Sequence, residues 1–234
     1  MIKKVYHKLF KDKSNRANKA LPNKCITDKL DFSNFKVVFD IGAYHGTFTE
    51  NLFSKNPRME IHAFEPFIKS YEIVKKKFNK KNVTVNNLAV SDFTGTNNLF
   101  LNSFDQTNSL LESNFTNSML DRLTKNINFQ AVQIITLDDY CEQLNLPLID
   151  FIKIDTQGNS YNVLVGAEQL LLKKKITHLY VETEFIEIYK NQKCFSEIEI
   201  LLKKMDYQLV DFFDINYTAD GRIAWCDSLF IAKR

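Results

Sequence analysis

Residues 37–46, Val37-Val38-Phe39-Asp40-Ile41-Gly42-Ala43-Tyr44-His45-Gly46, decide how this chain is read. An apolar run enters a glycine turn, and a helical pattern follows. About twenty residues further on, Ile61-His62-Ala63-Phe64-Glu65-Pro66 reads as a second strand ending on an acid. A strand, a glycine turn, a helix and a second strand closed by a carboxylate make one half of a nucleotide-type site. Glycine lets backbone approach a ligand, and the acid can accept from both hydroxyls of a ribose.

The spacing of the turn separates two ligand classes. A dinucleotide-binding turn reads G-x-G-x-x-G, with amides facing a pyrophosphate. Here Gly42 and Gly46 stand in G-x-x-x-G, and Asp40 precedes them. An acid repels phosphates but attracts a ligand carrying an ammonium and a sulfonium. The charge logic therefore favours S-adenosyl-L-methionine over a nicotinamide cofactor. The plainer reading is an ordinary α/β turn in which Gly42 only supplies an unusual backbone angle; Glu65 at the next strand end weighs against it.

Outward from this stretch, strands and helices alternate. Strands are expected at 37–41, 59–64, 83–90, 97–101, 132–136, 149–154, 178–182, 207–213 and 228–232. Helices are expected at 47–56, at 67–80 with Pro66 at its start, at 137–144 capped by Thr136, at 161–174, and from a Ser196 cap through Met205. Alternation of this kind implies a doubly wound, mostly parallel sheet, with the last two strands as an antiparallel edge hairpin. Residues 102–131 are polar and aperiodic, the pattern of a substrate lid or a surface loop beside the crevice.

With 234 residues the chain suits one domain with a full core. Expected boundaries are a basic N-terminal helix and lead-in over 1–35 and the catalytic domain over 36–234. The net charge of +3 is uneven: residues 1–24 hold eight Lys or Arg against Asp12 alone, which leaves the body mildly acidic. Ile2, Val5, Tyr6, Leu9 and Phe10 follow helical spacing in that tail. Two readings stand for it: a helix packed on the domain with a solvated lysine face, or an amphipathic segment making peripheral contact with an anionic membrane. The lysines are not interleaved with aromatics elsewhere, so nucleic acid is not an expected partner. No secretory signal and no bilayer-length apolar run is visible, and Cys25, Cys141, Cys194 and Cys226 are scattered. The expected location is cytoplasmic, with membrane association at the inner face if the tail binds lipid. The four histidines lack zinc-site spacing.

In open α/β sheets ligands bind beyond the carboxyl ends of the strands. Those ends carry Asp40 and Gly42, Glu65, Ser91 and Asp92, Asp155 with Gln157 and Gly158, and Glu182 with Glu184. Any one acid here could merely cap a helix; the set is harder to explain so.

The order of Val38-Phe39-Asp40-Ile41-Gly42-Ala43, Phe64-Glu65-Pro66, Leu88-Ala89-Val90-Ser91-Asp92, Thr136-Leu137-Asp138-Asp139-Tyr140, Lys153-Ile154-Asp155-Thr156-Gln157-Gly158 and Val163-Leu164-Val165-Gly166-Ala167 resembles the FkbM-type methyltransferases. The resemblance runs from about residue 36 to the C-terminus. It implies a class I methyltransferase fold with a seven-stranded sheet, S-adenosylmethionine as donor, and O-methylation of a sugar, glycan or other small-molecule hydroxyl. On this reading backbone at Gly42, Ala43 and Gly46 contacts the methionine portion, with Asp40 near its ammonium. Glu65 takes the ribose, and Ser91 with Asp92 the adenine edge. Asp155 lies near the transferred methyl and leads the candidates for general base, with Glu182, Glu184 and His45 behind it. For His45, packing against the helix start is the plainer role. A divalent metal on Asp155 and a neighbouring acid fits the chemistry, but no spacing specifies one. The family commonly carries glutamate where Gln157 stands, which makes a non-catalytic scaffold one alternative. A nicotinamide-dependent oxidoreductase is another, disfavoured by the missing G-x-G-x-x-G.

Overall fold

The computed structural model describes residues 25–79, 82–114, 120–218 and 220–233. The basic helix expected within 1–24 lies outside the described residues, as does 115–119 of the polar insertion. The elements are β1 Val37–Ile41, α1 Thr47–Lys55, β2 Glu60–Phe64, α2 Ile68–Phe78, β3 Val83–Asn86, β4 Ala89–Val90, β5 Gly95–Asn102, β6 Asn126–Ile135, α3 Leu137–Leu144, β7 Ile149–Ile154, α4 Ser160–Val165, α5 Glu168–Leu172, β8 Ile176–Glu184, α6 Phe195–Lys204, β9 Tyr207–Tyr217 and β10 Ile223–Ala232.

Seven strands form the main sheet in the order β3-β2-β1-β7-β8-β10-β9. The first five are parallel, and β9 and β10 close the edge as an antiparallel hairpin. The expected fold class is thus the observed one. β1 sits at the centre because its apolar residues can be covered on both faces: Val38, Phe39, Asp40 and Ile41 are all buried. Chain order reverses between β1 and β7, so the crevice opens at their carboxyl ends, where Gly42 and Asp155 follow the two strands.

Four differences from the expected elements have local causes. The strand expected at 83–90 divides: β3 stays in the main sheet, and β4 joins a second sheet in the order β4-β6-β5. Asn87 turns that corner by donating to the carbonyls of Glu65 and Pro66 at 2.9 and 3.0 Å. The two ends of the expected insertion belong to a β5–β6 pair, β5 running to Asn102 and β6 starting at Asn126, and Ile127 and Phe129 are exposed there, so burial imposed no period. The helix expected at 161–174 breaks at Gly166-Ala167. There the Gly166 carbonyl leaves the helix to accept from the Asp138 amide, and the Asp138 carboxylate caps α5 through the amides of Gln169 and Leu170. α6 begins one residue before Ser196, with the Glu197 carboxylate reaching back to the Cys194 amide.

The boundary expected at residue 36 is not an edge of packing. Ile26 and Phe32 are buried, and the Phe32 ring meets Phe151 of β7 edge-on at 5.2 Å. The described part of the lead-in therefore belongs to the core beneath β1 and β7.

Gly42 is fixed by a close approach as well as by its φ of +82°: a Cβ there would lie 1.9 Å from the Asp155 carbonyl oxygen. Gly221 has a φ of +87° with nothing within 4 Å. Both glycines favour the left-handed region, so the difference between their alanine variants isolates the clash. Gly221→Ala should cost about 1 kcal/mol. Gly42→Ala should cost more than about 3 kcal/mol or prevent folding. Urea denaturation of the two variants gives the comparison, and equal losses would mean that the β1 and β7 loops yield freely.

Candidate functional site

Cross-strand pairing assembles the centre of the site. Asp40 of β1 stands opposite Lys153 of β7, which stands opposite Tyr180 of β8. Directly paired residues share a sheet face, so three chemically distinct side chains line up across three strands. Asp155 and Glu182 continue that face two residues further along β7 and β8.

Lys153 organises this row. Its Nζ lies 3.3 Å from Asp40 Oδ1, 3.3 Å from Asp155 Oδ2 and 3.4 Å from the Gly42 carbonyl. Burial pushes the Lys153 pKa down, but Asp155, Asp40, Asp227 and Glu182 together overcome it and hold the pKa above the usual lysine value. Lys153 is thus a fixed cation, consistent with pairing at the sheet end rather than reaction.

Asp40 lies behind the turn, not on its surface. It is fully buried, and its second oxygen accepts from Thr49 Oγ1 at 2.6 Å. This corrects the expected direct approach of Asp40 to a ligand ammonium: with no exposed surface, its carboxylate meets Thr49 and Lys153 rather than the crevice. The turn itself is also closed. The amides of Gly42 and Ala43 both donate to the Phe64 carbonyl at 3.0 Å, and the Gly46 amide donates to Ala43. These three amides are unavailable to a phosphate, so the turn provides no pyrophosphate cradle there.

Glu65 is held in place at the end of β2. It accepts from the Tyr44 amide at 2.7 Å and the Phe67 amide at 2.9 Å, one on each oxygen. Burial raises its pKa to about 8 against the pull of these two amides. Each oxygen keeps acceptor capacity for a further donor. On the neighbouring rim Ser91 Oγ donates to Asp92 at 3.0 Å, and Asn159 reaches both Ser91 Oγ and the Val90 carbonyl. Asp92 is exposed beside them. His45 stands elsewhere: its ring stacks on Tyr44 at 3.8 Å and its carbonyl accepts from Lys77. It is not joined to the acids by any hydrogen bond among the described residues.

Past Asp155 the acids converge. The Gln157 side-chain amide donates to Asp155 Oδ1 at 2.9 Å and to Glu182 Oε2 at 2.8 Å. Burial, then Asp155, Glu184 and Asp227, push the proton affinity of Glu182 well above the ordinary carboxylate range. Glu184 is buried, its pKa is raised to about 8 mainly by burial, and its Oε2 has no hydrogen-bond partner among the described residues. Asp227, paired in register with Glu182, accepts from Tyr180 at 2.9 Å. A small pocket opens beside this group, lined by Gln157, Glu182, Glu184, Tyr189 and Trp225 together with Thr107 and Thr124 of the insertion. Gln157, Tyr189 and Trp225 are the residues whose roles sequence reading missed. Tyr189 and Trp225 lie far from any motif: Tyr189 follows β8 and is held by Thr107 and Ser113 of the insertion, and Trp225 comes in on β10 of the edge hairpin. Among the described residues, no three His, Cys, Asp or Glu side chains are arranged to hold a metal ion.

The model of the methyltransferase FkbM domain matches residues 40–209, which span β1 to the start of β9. The chain belongs to the FkbM methyltransferase family. A curated relative, the 2-O-methyltransferase NoeI of Sinorhizobium fredii, is 25% identical over 167 residues, covering 67% of this chain and 66% of that protein. A Listeria monocytogenes structure, provisionally described as an S-adenosylmethionine dependent methyltransferase, aligns over 88% of this chain and 94% of its own. Its TM-score is 0.53 at 9% identity. An Aquifex aeolicus SAM dependent methyltransferase aligns over 98% of both chains with TM-score 0.45 at 13% identity. The fold is the class I methyltransferase fold, in a member of the FkbM family.

The buried Glu65 makes the stability of this family member depend on pH. Its folded pKa lies above the unfolded value of 4.5, so its neutral form favours the fold. That contribution is complete below pH 4.5 and is lost as pH rises to about 8. In the ligand-free protein Glu65→Gln should make the decline in unfolding free energy over this window shallower by about 1.4 kcal/mol per pH unit. Urea melts at several pH values measure both slopes; parallel slopes would contradict the burial of a titrating Glu65.

Proposed function

We propose that this chain is an S-adenosyl-L-methionine-dependent O-methyltransferase acting on a hydroxyl of a sugar, glycan or other small metabolite. The observation that carries the reading is the Asp155–Glu182 pair at the rim of the crevice, where the pocket under Trp225 meets the ends of β7 and β8. Family membership supports methyl transfer, and the relative bearing the name 2-O-methyltransferase supports oxygen as the acceptor.

The residues present suit the cofactor. Glu65, carrying two backbone amides and spare acceptor capacity, matches the two hydroxyls of a ribose. Asp92, steadied by Ser91, can accept from an exocyclic amine. Gly42, Ala43 and Gly46 form the floor beside the methionine portion. Asp40 acts at one remove, by fixing Lys153 and through it the Gly42 carbonyl and Asp155. The closed amides of the turn weigh against a nicotinamide dinucleotide, whose pyrophosphate needs free donors.

When bound, S-adenosylmethionine supplies an electrophilic methyl group on a sulfonium. The protein must then orient the acceptor hydroxyl and take its proton. Asp155 is held on one oxygen by Lys153 and on the other by Gln157, which suits it to orienting the acceptor. Glu182, with raised proton affinity and an outlook on the pocket, suits the base. This moves the base from Asp155, the leading sequence candidate, to Glu182. Trp225 and Tyr189 provide an aromatic wall against which the apolar face of a sugar ring can pack.

We place the protein in the cytoplasm and take residues 1–24 as a candidate contact with an anionic membrane. Co-sedimentation with anionic liposomes of the full chain, against one beginning at Asn23, tests this contact; equal partitioning removes it.

Isothermal titration with S-adenosylmethionine and S-adenosylhomocysteine tests the main reading. Micromolar binding of both is expected, and Glu65→Ala should weaken it by roughly 10–100-fold through loss of the hydrogen bonds to the ribose hydroxyls. With a hydroxylated acceptor, Asp155→Asn should lower turnover more than cofactor affinity. Absence of heat with either compound at millimolar concentration would overturn the assignment.

A further inference from the structure

Gln157 is held in an unusual posture. It adopts a φ of +54° and precedes Gly158, whose φ is +87° and at which a Cβ would lie 2.7 Å from the Tyr189 ring. The Gln157 carbonyl accepts from Ser109 Oγ at 2.7 Å, so the polar insertion is docked on the same residue. At the side chain, Oε1 faces the Tyr189 hydroxyl at 3.4 Å, and that hydroxyl lies 3.0 Å from the Thr107 carbonyl. Nε2 faces two carboxylates. This orientation of the amide is the one that satisfies its neighbours, because Asp155 and Glu182 need a donor and the tyrosine hydroxyl can supply one.

One NH2 group thus spans two acids on adjacent strands, at 2.9 and 2.8 Å. An amide donor stabilises the ionised form of each acid it touches, without adding a charge. Glu182 otherwise faces a field that disfavours ionisation: Asp155 on β7, Glu184 on its own strand and Asp227 on β10, with the Tyr189 hydroxyl above it and Lys153, shared with Asp40, as the nearby cation. We propose that Gln157 is a positioning residue of this site, whose side-chain amide clamps Glu182 beside Asp155 and holds its proton affinity within the range where it can accept a proton from the acceptor hydroxyl. The role in catalysis rests on the methyltransfer reading above; the clamp itself is a property of the free protein.

The test is a carboxyl NMR titration of protein labelled with 13C at Glu and Asp side chains, with Glu65→Gln, Glu182→Gln and Glu184→Gln used to assign the three high-titrating glutamates. Two variants break the clamp differently. Gln157→Asn tolerates the left-handed backbone but is too short to span both acids. Gln157→Glu keeps the length, removes the donor and adds a third carboxylate, so its rise in the Glu182 midpoint should exceed that of Gln157→Asn, which reads the lost donor alone. In both, the Glu182 midpoint should rise by about one unit or more. In the unmodified protein the side-chain NH2 resonances of Gln157 should move with that same midpoint, a reading that requires no variant to fold. An unchanged midpoint in either folded variant, or Gln157 amide resonances indifferent to the titration, would overturn the proposal. Failure of S-adenosylmethionine to bind the unmodified protein would instead remove the methyltransfer reading and leave the clamp measurable.

Discussion

The buried ammonium of Lys153 is the interaction on which the rest of the site depends. It joins Asp40, Asp155 and the Gly42 carbonyl, and so ties the turn after β1 to the loop after β7 across the point where strand order reverses. A buried charge is costly unless it is paired and hydrogen-bonded, and here two carboxylates and a carbonyl meet that need together. Removing one partner would leave the others uncompensated, most severely for the fully buried Asp40. The arrangement therefore does more to specify one geometry of the crevice than to add net stability.

Around that cation the backbone is closed on itself. Gly42 lies against the Asp155 carbonyl with no room for a Cβ, and its amide and that of Ala43 converge on Phe64. Many nucleotide sites use free turn amides as anion donors; this turn uses two of its amides to brace β1 against β2 and a third to close the turn on itself. What it offers a ligand is a close-packed floor and the carboxylate of Glu65. A ligand with hydroxyls and positive charge suits such a surface better than one with a pyrophosphate.

Beyond Asp155 the chemistry shifts from ion pairing to proton sharing. Glu182, Glu184 and Asp227 crowd one sheet face, and burial adds to their mutual repulsion. The fold meets this with neutral donors, Gln157 for Glu182 and Tyr180 for Asp227, and leaves the buried Glu184 Oε2 without a hydrogen-bond partner among the described residues.

Much of this could be read along the chain. The run from Val37 to Gly46 announced a central strand and its turn, and alternation of apolar runs with helical patterns implied the parallel sheet, because strands buried on both faces must be apolar throughout. Glu65, Asp155 and Glu182 were legible as acids at strand ends, since the carboxyl edge of a parallel sheet is where ligands meet it. Whether an acid faces a ligand or a lysine is a matter of depth and register, so the burial of Asp40 behind Thr49 and Lys153 appeared only in three dimensions. The β5–β6 hairpin was legible only at 97–101 and 132–136, because the first half of β6 is solvated and leaves Ile127 and Phe129 exposed. Local sequence determined the strands, the turn and the ranks of acids, since those follow from periodicity and backbone freedom. Tertiary structure alone decided which acid is neutralised, which is clamped by Gln157, and that Tyr189 and Trp225 wall the pocket, since these depend on contacts between residues far apart in the chain.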